Sequence, residues 1–110
     1  MLRELEELGC DIDRIKNRFM GDREFYEECF QDFVKSNQIE QLGEVLASGD
    51  IQEAFVLAHN LKGTLSNLEL TPLVKIIIGV VEPLRQDSMK GVQEEYDKLL
   101  EAWQIFKKLS

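Results

Sequence analysis

The chain has 110 residues, 44% hydrophobic and 31% charged, with 13 Lys+Arg against 21 Asp+Glu and a formal net charge of -8. That is one domain's worth of globular composition, and its excess of acid speaks against nucleic acid or an anionic membrane surface as partner. Two cysteines and one histidine are too few for a disulfide framework, a zinc site or a Ser-His-Asp hydrolase, and the glycines are scattered singly, without a phosphate-cradling loop.

Taken in chain order, Leu2, Leu5 and Leu8 mark a short first helix closed by Gly9, where a left-handed cap residue belongs. The charged opening from Met1 to Glu7 does not read as a signal peptide, and the longest apolar run, Ile76 to Val81, is far short of a membrane span. The expectation is a cytoplasmic domain with reduced thiols. Asp11 can cap a second short stretch carrying Ile12, Ile15 and Phe19, which stops at Met20-Gly21. Asp22 opens a longer segment with Phe25, Cys29, Phe30, Phe33 and Val34 on one face. Ser36-Asn37 interrupts it, Asn37 and Glu40 read as a capping box, and Leu42, Val45 and Leu46 continue the stripe. The 22–47 segment is therefore either one kinked helix or two.

Asp50 with Glu53 forms another capping box, followed by Ile51, Ala54, Phe55, Ala58, Leu61, Leu65 and Leu68 at the spacing of one buried helical face. Thr71-Pro72 signals the next start, a cap residue followed by proline at the first helical position. The stretch 74–81 is β-branched enough to pass for a strand, yet Leu73, Ile76, Ile77, Val80 and Leu84 keep helical spacing. A lone strand would also have no partner, so this segment reads as a helix. Pro83 has to avoid the carbonyl of Gly79, which predicts a bend or an end near Gly79–Pro83. The last helix runs from about Gly91, with Val92, Tyr96, Leu99, Leu100, Trp103 and Phe106 inside and Lys107-Lys108 suited to its C-terminal dipole. The fold class is all-α. A single domain is expected over 1–110, with short N-terminal helices over 1–20 and an antiparallel four-helix bundle over 22–110.

One constellation could carry chemistry. On a helical wheel His59 lies roughly 120° from the apolar centre of its helix, at the rim between core and solvent. Gln52, Phe55, Lys62, Gly63 and Ser66 extend the same strip. Glycine within a helix costs about 0.5–1 kcal/mol relative to alanine, and here it leaves backbone bare one turn from the only histidine. Lys62 brings a cation within reach of whatever is added to the ring. Neutral imidazole is a competent nucleophile. Against this, a rim histidine is commonly a bystander, a helical glycine a packing contact and a lysine three residues on ordinary surface.

Ala58-His59-Asn60-Leu61-Lys62-Gly63-Thr64-Leu65-Ser66-Asn67-Leu68 resembles the signature of histidine-containing phosphotransfer (HPt) domains, of the bacterial single-domain type. These carry His-x-Leu-Lys-Gly, then small residues and Asn-Leu. The resemblance extends to Gly21-Asp22 with Phe25-Tyr26, Phe33, Leu42 to Leu46 with Gly49-Asp50, and Leu70-Thr71-Pro72-Leu73, so it covers about Phe19 to Leu73. Many members have glycine at the place of Glu69, a departure that bears on the exit of the histidine helix. The resemblance implies that His59 takes a phosphoryl group from a receiver-domain aspartate and passes it to another, as a stoichiometric carrier without kinase activity or ATP.

On the same basis Lys62 offsets phosphoryl charge, and Gly63 gives a receiver room to dock. Phe55, Ser66, Gln52, Ile39 and Lys35 are candidates for the docking surface, the last two on the expectation that they lie level with His59. No cofactor or metal of the chain's own is implied, because Mg²⁺ comes with the receiver. The partners implied are response regulator receiver domains and a hybrid histidine kinase, with no nucleic acid or membrane, and the chain is expected to be a monomer. The alternatives are a helical adaptor in which His59 is incidental, or another phosphohistidine carrier. The latter usually holds phosphate at a helix N-terminus, whereas His59 is about two turns into its helix.

Overall fold

Three aspartates that the sequence places before apolar stripes each open a helix by accepting a backbone N–H three residues on. Asp11 accepts from Arg14, Asp22 from Phe25 and Asp50 from Glu53. In the computed structural model, which describes all 110 residues, these caps belong to three of seven helices. They are α1 (Leu2–Glu7), α2 (Ile12–Arg18), α3 (Arg23–Ser36), α4 (Gln38–Ser48), α5 (Ile51–Asn67), α6 (Thr71–Arg85) and α7 (Val92–Lys107). The chain is all-helical, and 74–81 lies within α6 rather than in a strand.

The 22–47 segment is two helices. Asn37 breaks it by adopting φ 55°, ψ 28°, closing α3 and opening α4 at once. Its side chain caps nothing, so the capping box expected with Glu40 does not form: a left-handed Asn37 does not have the extended backbone from which a cap side chain reaches forward. The box at Asp50 is half made, since Glu53 donates its N–H as expected while the Asp50 N–H turns to Ser48 Oγ. Thr71 is likewise not a cap. Leu70 holds that place, and Pro72 falls in the first turn of α6, where a missing N–H costs nothing.

Of the bend or end expected near Gly79–Pro83, the end does not occur, for α6 runs unbroken through Pro83 to Arg85. Proline removes one helical hydrogen bond, and two residues from the terminus that loss is small. Gly79 instead receives the side chain of Glu95 from α7 against its bare Cα.

Helices α4 to α7 pack in sequence, α5 on α4 and α6, α6 on α7, and α7 back on α4. Short connections make the neighbours antiparallel. The α3 arm joins the bundle through its aromatics: Phe30 and Phe33 meet Trp103 at ring centroids of 6.1 and 5.1 Å. Tyr26 is buried and donates to the Leu68 carbonyl at 2.8 Å. The inner stripe of α3 is thus Tyr26, Phe30 and Phe33, while Phe25, placed inside by the sequence reading, is 52% exposed.

The same core cluster takes in Leu2, Leu5, Cys10 and Ile15 from the N-terminal helices. Of these two helices, α2 is tied to the α5–α6 turn by Glu69. That residue adopts the left-handed φ of 55° at which glycine is at ease and other residues are strained. Its carboxylate is buried yet paired, with Arg18 Nε at 2.9 Å and Arg14 Nε at 3.3 Å. Glu69, where the resemblance leads to an expectation of glycine, thus leaves the turn in place and adds an ionic tie to α2. No helix is long and apolar enough to cross a membrane.

Candidate functional site

Helix α5 buries Ala54, Ala58, Leu61 and Leu65 and leaves a continuous strip on its outer flank. His59 is exposed on that strip. Its ring lies against Phe55, one turn earlier, with centroids 5.8 Å apart and planes 24° from parallel. The stack limits the orientations open to the imidazole without covering it. Hydroxyls on the helix leave the ring alone: Thr64 Oγ1 donates to the Asn60 carbonyl at 3.2 Å and Ser66 Oγ to the Lys62 carbonyl at 2.8 Å.

Gly63 is the open point beside the ring. A Cβ built there meets nothing within 4 Å, so no packing inside the molecule requires the glycine. Lys62 is half-buried and Gln52 exposed. Ser66 lies further along, in a groove shared with Arg14, Arg18 and Glu69. The structure thus brings Gln52, Phe55, His59, Lys62, Gly63 and Ser66 onto one face of one helix.

Two candidates lie elsewhere. Ile39 is 1% exposed, a core residue whose carbonyl accepts from the Tyr96 hydroxyl at 2.8 Å. It cannot offer a side chain to a partner, because the stripe Ile39, Leu42 and Leu46 faces inward. Lys35 is exposed on α3 and lines a shallow acidic depression with Glu24, Glu27, Glu28 and Asp32. No hydrogen bond or ion pair joins Lys35 to the His59 strip. The α5 flank that approaches α3 carries Thr64, Asn67 and Leu68 instead.

The neighbours that sequence reasoning missed come from α6. The Arg85 guanidinium lies over the Phe55 ring, 5.2 Å from its centroid, close enough for a cation–π contact. Arg85 Nε also donates to Glu82 Oε2 at 2.8 Å. The hydrogen bond and charge of Arg85, together with Lys62, hold the Glu82 carboxyl below the usual carboxylate range. Antiparallel packing of α6 on α5 brings residues 82 and 85 to this flank, and only the register of the two helices could have foretold it. Val56, 54% exposed on the outward face of α5, adds apolar surface next to Phe55.

An exposed imidazole stacked on one aromatic, with Lys62 three residues on, Arg85 over the same Phe55 ring and bare backbone at Gly63, has the chemistry of an accessible nucleophile. The chain supplies no general base against the ring and places no group of three or more His, Cys, Asp or Glu to hold a metal ion. A family model described as Hpt domain matches residues 23–104, from the start of α3 to near the end of α7, leaving α1 and α2 outside. No curated protein and no solved structure matches the chain.

Proposed function

From the premise that the chain belongs to the Hpt domain family, a histidine phosphotransfer module of phosphorelays, we propose that His59 is its phosphoacceptor. The observation that carries this reading is the exposed His59 ring stacked on Phe55 beside a glycine with open space. In the proposed step a ring nitrogen attacks the phosphorus of a receiver's aspartyl phosphate. A P–N bond forms as the P–O bond breaks, and the aspartate leaves as carboxylate. Reversal onto a second receiver returns the imidazole with its lone pair, so the chain is a stoichiometric carrier rather than an enzyme.

Catalytic power then lies in positioning and in charge. Lys62 faces the phosphoryl oxygens, while the receiver brings Mg²⁺ and the in-line geometry. Gly63 admits the receiver's aspartate loop, and Phe55, Gln52 and Ser66 line the docking face. The partners proposed are response regulator receiver domains and a hybrid histidine kinase, in the cytoplasm, with the chain acting as a monomer.

The test is incubation with receiver domains charged by acetyl phosphate. The full chain should gain phosphate as the receivers lose it, and His59→Gln should gain none. Receivers that bind parent and His59→Gln alike and never pass phosphate would instead make this bundle an adaptor.

A further inference from the structure

Glu82 lies three residues before Arg85 on α6. Its Oε2 accepts from Arg85 Nε at 2.8 Å, and Lys62 attracts it across the α5–α6 groove. Arg85 rests on Phe55 at 5.2 Å, and the same Phe55 ring stacks on His59 at 5.8 Å. Arg85 and His59 therefore share one aromatic neighbour, the Phe55 ring. Arg85 and Glu82 are each about half exposed, at 48% and 52%, so nothing locks the pair in place. The free chain thus already holds an anion on Arg85, the α6 cation that shares Phe55 with His59.

Resting on the phosphoacceptor reading above, we propose that Glu82 is an internal competitor for Arg85 that loosens the hold of His59 on its phosphate. A phosphoryl group carries close to two negative charges and can accept a guanidinium bidentately, so it outbids one carboxylate. Drawing Arg85 to phosphate leaves Glu82 without its partner. The phosphorylated state bears that cost and the free state does not, which favours passing the group on. Glu82 takes neither proton nor phosphate. It acts through Arg85, as a tuning residue rather than a catalytic one.

The experiment is the phosphoryl-exchange equilibrium between the full chain and a receiver domain, approached from both directions. It is measured for the parent, Glu82→Gln, Glu82→Asp and Arg85→Met, with thermal unfolding beside each. Glu82→Gln should move the equilibrium roughly two- to fivefold toward His59, the scale of one exposed charge, and Arg85→Met should move it the opposite way. Glu82→Asp should stay nearer the parent, and the differences should shrink in 1 M salt. A parent that is phosphorylated on His59 with an unchanged equilibrium in Glu82→Gln overturns this inference alone. So does a shift of the same sign in Glu82→Gln and Arg85→Met, which would mark a structural effect rather than a charge effect. A parent that never takes phosphate on His59 overturns the phosphoacceptor reading, and this inference with it.

Discussion

Gly43 and Gly63 both lie inside helices, one on the seam between α4 and α7 and the other on the outer face of α5. At Gly43 an added Cβ would run into the ring and hydroxyl of Tyr96, whose O–H reaches the Ile39 carbonyl at 2.8 Å in the buried seam. At Gly63 an added Cβ would meet nothing. Both positions carry glycine's cost to a helix, about 0.5–1 kcal/mol relative to alanine. On the seam, close helix approach and a buried hydrogen bond offset it. On the outer face nothing within the chain does, which points to a requirement that comes from outside.

The largest expected effect that would break this contrast is on transfer. Gly63→Gln should unfold near the parental temperature yet exchange phosphate with a receiver at least about tenfold more slowly, because reacting atoms must come within about 3–3.5 Å. Parental transfer rates, or an unfolded domain, would mean that the glycine is not there for access. Next comes the seam. Gly43→Ala should lose about 1–3 kcal/mol in urea unfolding, through overpacking against Tyr96 or loss of its bond. The same variant should still transfer phosphate while folded.

How these two glycines read from sequence shows where sequence reasoning stops. Gly63 was legible because it lies one turn from the sole histidine in a recognisable motif, so the strip from Gln52 to Ser66 could be drawn on a wheel. Gly43 carried no signal, since its partner Tyr96 lies on another helix and only tertiary packing joins them. The same limit hid Arg85 and Glu82 from the site and put Ile39 on its surface. Aspartate caps at Asp11, Asp22 and Asp50 were read from local chemistry and formed. Asn37 was misread because a left-handed residue and a capping residue draw on the same amino acid. Tyr26, Phe30 and Phe33 follow the i, i+4, i+7 rule more closely than Phe25 does, and that spacing could have placed Tyr26 inside.

A third region sharpens the contrast by its titration. Burial, with the Glu69 carboxylate nearby, pushes the Cys10 thiol from 9.0 up to about 11. An unfolded thiol ionises near pH 9 while the folded one stays protonated, so this contribution is complete below pH 9 and is lost as pH rises toward about 11. Comparing urea unfolding at pH 8 and pH 10.5, Cys10→Ala should lose about 2 kcal/mol less than the parent. Equal losses would place the thiol in water. The smallest expected effect returns to α5: Gly63→Ala should raise stability by up to about 1 kcal/mol, visible as a higher melting temperature. Destabilisation there would reveal a packing role that the open space around Gly63 does not suggest.

The most direct test of the account is the chemistry of the bound phosphate. The chain is labelled by a charged receiver domain, the label is followed through acid and alkali, and the modified residue is mapped. The account predicts a phosphoramidate on His59, lost in acid and comparatively stable in alkali, and absent from a His59→Gln variant of near-parental stability, since an exposed residue contributes within about 0.5 kcal/mol. Label that survives acid, or that persists in His59→Gln, would contradict it.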